Sequence, residues 1–396
     1  MRILFANDGI GDAGGVQSYL AAVMPELARR GHEPALLHLD PLRPGTRSPA
    51  PAGTPHFSVA ERGMDEAVFA ALAWGPDVAF VHNMRLLEVD GRLCAAVPTV
   101  KFMHGYFGTC VSGQKAHLFP RPQPCGKPLG PGCIPIYATR RCGRMRPGSV
   151  ADGYRWAREQ NGMFGGYASI VTASTHMRTE YLRNGAPADR VHAIPLFPTI
   201  EGEPAEPPAE LRVLFLGRMT PIKGGDLLVR AVADASARLG RPIPLTMAGD
   251  GPERAAWERL AARLGVDATF VGWVDDGARA ELFRGASLLA VPSVWPEPFG
   301  LVGLEAGVFG VPAVAFDVGG IRAWLRPGTN GWLVDGKLPS ARALADALLH
   351  AARNPDLLAR MRVGAREAAE RMSLAAHLDV LEGVLTSAPG PRVAAG

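Results

Sequence analysis

Two glutamates in the C-terminal third of the chain are spaced for contact with a hydroxyl-rich ligand. Glu297 lies in a proline-flanked stretch, and Glu305 follows eight positions later. The apolar run 287–291 predicts a short buried strand just before them, and a helix is expected from about Gly300. One carboxylate would then stand at a strand-to-helix turn and the other about two turns into the helix. Open α/β sheets bind ligands at such turns, and carboxylates accept hydrogen bonds from the hydroxyls of sugars and ribose.

The start of this predicted helix adds further ligand groups. The backbone N–H groups of Phe299, Gly300 and Leu301 would face the same ligand, because the first N–H groups of a helix have no partner within it. The plainer alternative is that the two glutamates only complement the positive end of the helix dipole. Both interpretations stay open on this stretch alone.

A glycine-rich turn at the start of the second half carries two cations. The segment 217–225 (Gly-Arg-Met-Thr-Pro-Ile-Lys-Gly-Gly) directly follows the apolar run 212–216, so it is expected to link a strand to a helix. Arg218 and Lys223 flank this turn. A guanidinium forks onto phosphate oxygens and an ammonium acts as a point charge, so the pair suits a diphosphate. A solvated basic turn without a ligand is the alternative.

Together these segments resemble the signature of the family 4 retaining glycosyltransferases, which have the two-domain GT-B fold. The resemblance extends over about residues 1–386. It implies a nucleotide-diphosphate sugar, UDP- or GDP-linked, as the donor, with Arg218 and Lys223 on the diphosphate, Glu297 on sugar hydroxyls and Glu305 on the ribose. It also implies nucleotide or phosphate contacts from the turns that carry Gly14, Gly15, Gly249 and Val274. No catalytic metal is expected, because no acidic metal site accompanies the two cations.

One histidine is placed to take part in the reaction. His104 follows the apolar run 98–103, so it is expected at the carboxyl end of a strand, facing the cleft. A histidine there can hydrogen-bond a sugar hydroxyl, and the His104–Gly105 pair resembles the family's element beside the reaction centre. The resemblance thus implies a catalytic set of His104, Glu297, Arg218 and Lys223. His82, at the end of the preceding apolar run, is a weaker second candidate, and a loop histidine without function is the alternative.

A rival interpretation rests on the N-terminal glycines. The segment 9–14 is a literal GxGxxG after a predicted strand, and Asp40 ends the next strand, near the position of an acid that binds the ribose of NAD. Gly9, Gly11 and Gly14 therefore also suit an NAD(P)-dependent oxidoreductase. The cation pair and the glutamate pair have no role in such an enzyme. A non-catalytic nucleotide-sugar-binding protein is a third alternative.

Size and composition set the broad class. The 396 residues exceed what one core usually supports, and 47% hydrophobic with 20% charged residues is typical of a globular protein. Neither a run of 18 apolar residues nor a signal-peptide pattern is present, so a cytoplasmic location is expected. Residues 1–200 contain 21 Lys and Arg against 15 Asp and Glu. This excess suits an anionic or lipid-linked acceptor or a peripheral membrane contact, and no aromatic-basic stripe indicates nucleic acid.

Strand and helix patterns alternate along the whole chain, which predicts an α/β fold of two Rossmann-like domains with parallel sheets facing across a cleft. We expect an acceptor domain over 1–200 and a nucleotide-sugar domain over 210–372, separated by a Pro/Glu-rich spacer at 201–208. The segment 373–386 reads as a last amphipathic helix, which the resemblance places back on the first domain. Strands are expected at 2–6, 35–39, 78–82, 98–103, 169–173, 191–196, 212–216, 244–248, 268–271, 287–291 and 312–316.

Four of the five cysteines fall in an insertion of the first domain, at about 108–148, that is poor in core-forming residues. They are Cys110, Cys125, Cys133 and Cys142. A long loop without structure inside a domain needs a reason, and a structural zinc or iron–sulfur site held by four thiolates would supply one. The spacing contains no CxxC pair, so disulfides and free thiols stay open as alternatives.

The expected reaction is sugar transfer to a hydroxyl, in polysaccharide, glycolipid or natural-product synthesis. Positive charge develops at the anomeric carbon and negative charge on the departing diphosphate, which Arg218 and Lys223 would stabilise. The resemblance implies attack on the face that the leaving group occupies, with the leaving phosphate taking the acceptor proton. Closure of the cleft would exclude water and so protect the donor from hydrolysis.

Overall fold

Two parallel sheets follow one another along the chain. The computed structural model describes residues 1–11, 14–41, 48–143, 148–204 and 206–390. The strands are β1 (Arg2–Asn7), β2 (Glu33–His38), β3 (His56–Ser58), β4 (Val78–Val81), β5 (Thr99–Met103), β6 (Ala116–His117), β7 (Gln123–Pro124), β8 (Ser169–Thr172), β9 (Val191–Ala193), β10 (Val213–Leu216), β11 (Leu245–Ala248), β12 (Ala268–Gly272), β13 (Leu288–Val291), β14 (Ala313–Phe316) and β15 (Gly331–Val334).

Helices connect these strands. They are α1 (Gly15–Arg29), α2 (Val59–Arg62), α3 (Met64–Ala73), α4 (Leu87–Ala96), α5 (Cys133–Thr139), α6 (Ser149–Gly162), α7 (Thr175–Arg183), α8 (Gly225–Leu239), α9 (Arg254–Leu264), α10 (Asp276–Arg284), α11 (Leu301–Val308), α12 (Ala341–Arg353), α13 (Pro355–Arg371) and α14 (Leu374–Thr386). Two 3₁₀ turns are also present: Pro221–Lys223 lies between β10 and α8, and Gly319–Ala323 follows β14.

The strand order explains where a ligand can bind. The N-terminal sheet has the order β3-β2-β1-β4-β5-β8-β9, and the C-terminal sheet has the order β12-β11-β10-β13-β14-β15. In each sheet the strands after the first are added on one side of it and the later strands on the other side. The switch point therefore lies between β1 and β4 in one sheet and between β10 and β13 in the other. Crevices for ligands form outside the carboxyl ends of strands at such switch points. The turn before α1 and the turn before α8 both lie at these crevices.

The strands are continuous apolar runs because helices cover both faces of each sheet. Ile3, Leu4, Phe5 and Ala6 of β1 are fully buried, and so is most of β13. Helix α8 shows how the coverage arises: its apolar residues recur at helical spacing, and this face packs on α12. Burial of apolar surface on this scale is the main free-energy term that holds each domain together.

The last helix belongs to the core of the first domain. Four residues of α14, Leu378, Leu381, Val384 and Leu385, are buried in one cluster with Ile3, Phe5 and other residues of the N-terminal sheet. The helix also packs against α1. The chain thus crosses from the second domain back to the first.

The predicted α/β fold with two parallel sheets is confirmed, and eleven predicted strands correspond to strands of the structure. Two further strands lie at sheet edges and were not predicted. β3 has only three residues, and β15 is only partly buried, so neither gives a clear apolar pattern in the sequence. The cysteine-bearing insertion contains more structure than expected, namely the β6–β7 pair and α5. No helix among the described residues is long and apolar enough to cross a membrane.

Candidate active site

A cavity of about 640 Å³ lies between the carboxyl ends of the two sheets. Both domains line it, and it includes seven of the residues that the sequence predicted for the site. The first domain contributes Gly15, Tyr19, Asn83, His104 and Phe107, and the second contributes Gly217, Lys223, Ser293, Trp295, Glu297, Phe299, Gly300, Leu301 and others. The two predicted halves of the site thus meet in one space.

Glu297 is held in a buried position at this cavity by two hydrogen bonds to one of its carboxylate oxygens. Its side chain is 6% exposed, and its Oε1 accepts hydrogen bonds from Lys223 Nζ at 2.7 Å and from Ser293 Oγ at 2.5 Å. The backbone of the turn is fixed from below, because the N–H of Gly320 donates to the carbonyl of Glu297 at 2.6 Å. The carboxylate is therefore oriented before any ligand arrives.

Lys223 ends the 3₁₀ turn after β10, so its ammonium reaches the cavity. Nζ lies 5.5 Å from the centroid of the Trp295 ring, and 26% of the side chain is exposed. The next residue, Gly224, has φ of +65°, and a Cβ there would run into the backbone carbonyl of Pro292. Only glycine fits this approach, which fixes the turn against the loop that carries Glu297.

Arg218 stands apart from its predicted partner. It is exposed on the turn after β10, it does not line the cavity, and no hydrogen bond or ion pair joins its side chain to another described residue. Its neighbour Gly217 does line the cavity. The guanidinium is thus an unpaired cation beside the cavity, available to an anionic ligand.

Glu305 lies one turn into α11, not two as its spacing suggested, because the helix begins only at Leu301. It is buried, and it does not line the cavity. Thr199 donates a hydrogen bond to its Oε1 at 2.9 Å, and Arg279 lies 3.4 Å away. Burial raises the pKa of Glu305. In the absence of ligand, this carboxylate therefore ties the second domain to the segment that leads out of the first.

Phe299, Gly300 and Leu301 form the start of α11 at the cavity, as expected. Gly300 has φ of +81°, and Trp324 packs beneath it, with its indole N–H donating to the carbonyl of Phe299 at 2.8 Å. The first N–H groups of this helix lack acceptors within the helix. The cavity therefore has an electropositive end formed by backbone donors beside Lys223.

His104 forms part of the opposite wall, at the end of β5. Its Nε2 lies 2.9 Å from Nδ1 of His82, which ends the neighbouring strand. Burial lowers the pKa of His104 to about 3, so the ring is neutral at pH 7. Beside it, the Tyr19 hydroxyl lies 2.8 Å from Nε2 of His377, a residue of α14.

The remaining predicted glycines shape loops. Gly14, with φ of +127°, immediately precedes α1, and Gly249, with φ of +117°, packs its backbone against that of Gly217. A side chain at Gly249 would collide with that backbone, so this glycine allows the two turns that the sequence predicted as nucleotide contacts to approach each other closely. Val274 is half-buried on the turn after β12. Gly14, Gly249 and Val274 do not line the cavity.

The two domains also touch directly beside the cavity. Ser174 caps α7 by accepting from the N–H of Met177, and its hydroxyl donates to the carbonyl of Pro298 at 2.7 Å in the other domain. The rings of Tyr106 and Trp295 meet edge to face with centroids 6.4 Å apart. These contacts hold the loop of Glu297 against the first domain.

Sequence reasoning missed several of these residues. Ser293 and Trp295 lie in the same turn as Glu297, so that turn could have indicated them. Thr199, Ser174 and His377 have no such signal: the first two meet their partners only where the two domains come together, and His377 meets Tyr19 only where α14 returns to the first domain.

The four cysteines of the insertion line one small cavity of about 30 Å³ with His117. His117 Nδ1 lies 3.3 Å from Cys142 Sγ, and burial raises the pKa of Cys142 to about 12. All five cysteines are free thiols. Within the described ranges no group of three or more His, Cys, Asp or Glu side chains is placed to hold a metal ion. The predicted metal site is therefore not shown, although the thiols do converge.

The glycine fingerprint of the rival interpretation is only partly visible, because Asp12 and Ala13 lie outside the described residues. Asp40 is exposed, and its carboxylate accepts from Arg85 at 2.8 Å. Neither of these observations supports an oxidoreductase.

Residues 197–368 match the family model described as Glycosyl transferases group 1. A D-inositol 3-phosphate glycosyltransferase of Streptomyces griseus is 41% identical over 170 residues, which are 40% of this chain and 35% of that protein. A protein of the same name from Rhodococcus erythropolis is 27% identical over 361 residues, 84% of this chain and 77% of that protein. The chain thus matches about a third of the length of the first relative and about three quarters of the second.

A solved structure shows the same architecture. Anabaena Alr3699/HepE, in complex with UDP and glucose, matches this chain with a TM-score of 0.67 at 18% identity, over 98% of this chain and all of that chain. At this identity the similarity concerns the fold: two Rossmann-like domains that face each other across a cleft.

Proposed function

We propose that the chain is a group 1 glycosyltransferase of the GT-B fold, which transfers a sugar from a UDP-sugar to a hydroxyl acceptor with retention of configuration. The observation that carries the proposal is the 2.7 Å contact of Lys223 with Glu297 in the cavity between the domains. The ammonium of Lys223 suits a diphosphate, and the carboxylate of Glu297 suits sugar hydroxyls. The diphosphate and the sugar of a donor are covalently joined, so a site for both needs these two groups side by side. The UDP complex of the Anabaena neighbour supports the choice of base.

The leaving group would be stabilised by three kinds of positive charge. Lys223, the exposed Arg218 and the free backbone donors at the start of α11 adjoin the cavity from the second domain. Negative charge develops on the diphosphate as its bond to the anomeric carbon breaks. Charge-assisted hydrogen bonds to such a group are each worth about 1.5–3 kcal/mol, and they count toward catalysis when they strengthen in the transition state.

The electron and proton movements then follow from the groups present. The acceptor oxygen forms a bond to the anomeric carbon on the face that the diphosphate leaves. The bond from this carbon to the diphosphate oxygen breaks, and that oxygen takes the acceptor proton. Glu297 holds donor-sugar hydroxyls, and His104, which is neutral, does not need to remove a proton in this scheme. Glu305 would contact the ribose after its bond with Thr199 opens.

The acceptor would enter from the first domain. A side pocket of about 140 Å³ adjoins the main cavity and shares Asn83 and Phe107 with it. Its one surface cation, Arg85, lies 3.1 Å from Asp8 and 2.8 Å from Asp40. The names of the relatives support a polyol or sugar hydroxyl as acceptor. A phosphate on that acceptor would have to replace these carboxylates at Arg85. Lipid-linked acceptors and a peripheral membrane contact stay predictions.

The direct test measures release of the nucleotide. We expect purified protein to release UDP from at least one UDP-sugar, faster when inositol, inositol phosphate or a simple sugar is added, and to leave GDP-sugars intact. Nuclear magnetic resonance of the product reports the anomeric configuration. Release from GDP-sugars alone would overturn the choice of base. Tight binding of UDP without any turnover of a full donor and acceptor panel would favour a non-catalytic binding protein.

We further propose that the cysteine cavity binds one structural zinc ion or iron–sulfur centre, which supplies folding energy to a loop with little core of its own. The convergence of Cys110, Cys125, Cys133 and Cys142 on one cavity supports this proposal. Elemental analysis of protein purified without added metal should find about one zinc per chain, or about two to four irons for one iron–sulfur cluster. Loss of that metal in a Cys133→Ser variant, with no loss in Cys94→Ser, would support it. Metal-free protein with an unchanged melting temperature in chelator would exclude it.

A further inference from the structure

The ring of His104 has only one nitrogen left for a ligand. Its Nε2 lies 2.9 Å from His82 Nδ1, and the ring lines the main cavity. No other hydrogen bond joins His104 to a described residue. Whatever His104 does in the cleft, it must therefore do through Nδ1. Whether Nδ1 donates or accepts depends on which ring of the pair carries the shared proton.

His82 lies in an apolar cage beneath the cleft. It is fully buried, its ring stacks on Phe5 at 6.2 Å, and it meets the edges or faces of Phe80 at 4.4 Å and Phe102 at 5.9 Å. Its Nε2 has no hydrogen-bond partner among the described residues. Burial lowers the pKa of His82 well below its usual value, so this ring is neutral as well.

Two neutral rings that share one hydrogen bond can be arranged in two ways. Either His82 Nδ1–H donates to His104 Nε2, or His104 Nε2–H donates to His82 Nδ1. The second arrangement leaves His82 with a buried Nε2–H that has no acceptor. Orphaned buried N–H groups are rarer in proteins than buried acceptors with a free lone pair, so the first arrangement is favoured. His104 then carries its proton on Nδ1.

We propose that His82 is a positioning residue that holds His104 in the Nδ1–H form, so that His104 donates a hydrogen bond to an oxygen atom of the bound substrate. This inference rests on the proposed function and adds the direction of the hydrogen bond. It makes His104 a donor toward a sugar hydroxyl oxygen and excludes it as the base that deprotonates the acceptor. The ionisable groups that face the pair among the described residues include Lys101, which is buried and bonded to Asp90 at 2.6 Å, and His377, whose pKa burial lowers to about 4.

The tautomer itself can be observed without any assay of activity. Long-range proton–nitrogen spectra of protein labelled with ¹⁵N-histidine distinguish a protonated Nδ1 from a protonated Nε2. We expect His104, assigned by its loss in a His104→Ala variant, to show the Nδ1–H pattern at pH 7. In His82→Phe the ring should revert toward the Nε2–H form that isolated neutral histidine prefers. An Nε2–H pattern for His104 in the wild type would overturn the proposal, whatever the enzyme's substrate is.

Kinetics provide the second arm, with the UDP-sugar that the wild type uses fastest. We expect His82→Phe to lower kcat about two- to tenfold, as for one neutral hydrogen bond, and to leave UDP affinity unchanged. His82→Asn, whose amide N–H lies near the position of Nδ1, should retain most activity, whereas His82→Gln should not. The matched control is His38→Phe, at a buried histidine of β2 whose ring Nδ1 lies 2.7 Å from the carbonyl oxygen of Asp40.

Combining the variants separates positioning from a general structural role. In a His104→Ala background, His82→Phe should cause no further loss, because the group that it positions is gone. An equal loss in both backgrounds would overturn the proposal. So would an ionisation near pH 6–7 in the rate profile that His104→Ala abolishes, because it would make His104 an acid or base. If the wild type turns over no UDP-sugar, the proposed function fails, and the spectra alone decide this inference.

Discussion

Replacing Lys223 by methionine tests the donor site most directly, because this lysine is bonded to Glu297 before ligand arrives and should contact the diphosphate afterwards. Methionine keeps the length of the side chain and removes its charge. Loss of one charge-assisted contact to the leaving group corresponds to about 1.5–3 kcal/mol, so kcat/KM for the UDP-sugar should fall about 10- to 150-fold.

The same substitution should also lower stability, for a separate reason. Glu297 is buried, and without Lys223 its carboxylate keeps only the hydroxyl of Ser293 as a side-chain partner. Leaving a buried charged group short of a partner costs about 1–3 kcal/mol, and the partial exposure of Lys223 places this site toward the lower value. Urea unfolding at pH 7 measures the loss.

The two effects separate in the double variant Lys223→Met/Glu297→Gln. Glutamine removes the buried charge, so much of the lost stability should return, whereas activity should stay low because both ligand groups are gone. The assay is coupled detection of UDP release, with Lys337→Met as control, because Lys337 is an exposed lysine of the same domain away from the cavity. The reasoning is refuted if folded Lys223→Met keeps kcat/KM within twofold of the wild type.

Three further outcomes are expected. Arg218→Ala should lower turnover about 10- to 100-fold with an unchanged melting temperature, because this exposed side chain has no partner among the described residues to lose; full activity would contradict its assignment to phosphate. Glu297→Gln should impair transfer while UDP still binds in calorimetry, whereas Glu305→Ala should weaken UDP binding itself; equal losses of UDP affinity would remove this division of roles. Stability should be greatest above pH 6.5 and fall toward pH 4, because the unfolded chain takes up protons that buried His104 and His377, with pKa values of about 3 and 4, do not. The slope from these two should reach about 2.7 kcal/mol per pH unit in urea unfolding, and a flat profile would contradict their burial as neutral rings.

The turns that position the candidate site residues could be predicted from local sequence patterns. Strand-to-helix turns carry Glu297, Gly300 and Lys223. Such turns can be recognised in a sequence by an apolar run, then a glycine, and then a change in the spacing of the apolar residues. Because parallel strands end at the same edge of a sheet, the placement of these turns near one another followed from the predicted fold. The confirmed parts of the fold are those that rest on such local patterns.

The tertiary part of the site could not be predicted in this way. Thr199 meets Glu305 over 106 positions, and Tyr19 meets His377 over 358 positions. The first pair depends on the distance and angle between the two domains, and the second depends on the return of α14 to the first domain; no periodicity encodes either. The helix begins at Leu301, close to its expected start, but the depth of Glu305 was overestimated, because the eight positions from Glu297 span two turns only if all of them are helical. Pro298 is disfavoured inside a helix, and the positive φ of Gly300 ends any extension toward it.

The return of α14 to the first domain has a consequence for the order in which the protein can be made. Synthesis runs from the N-terminus, and the first sheet leaves the ribosome more than 170 residues before Leu378 and Leu381, which complete its core. During that interval Ile3 and Phe5 lack part of their cover. His377, which bonds Tyr19 at the wall of the cleft, arrives with the same helix. A chain that stops short of α14 therefore lacks a core layer of the first domain and a part of the wall of the cleft together, so the cleft is complete only after α14 has been synthesised.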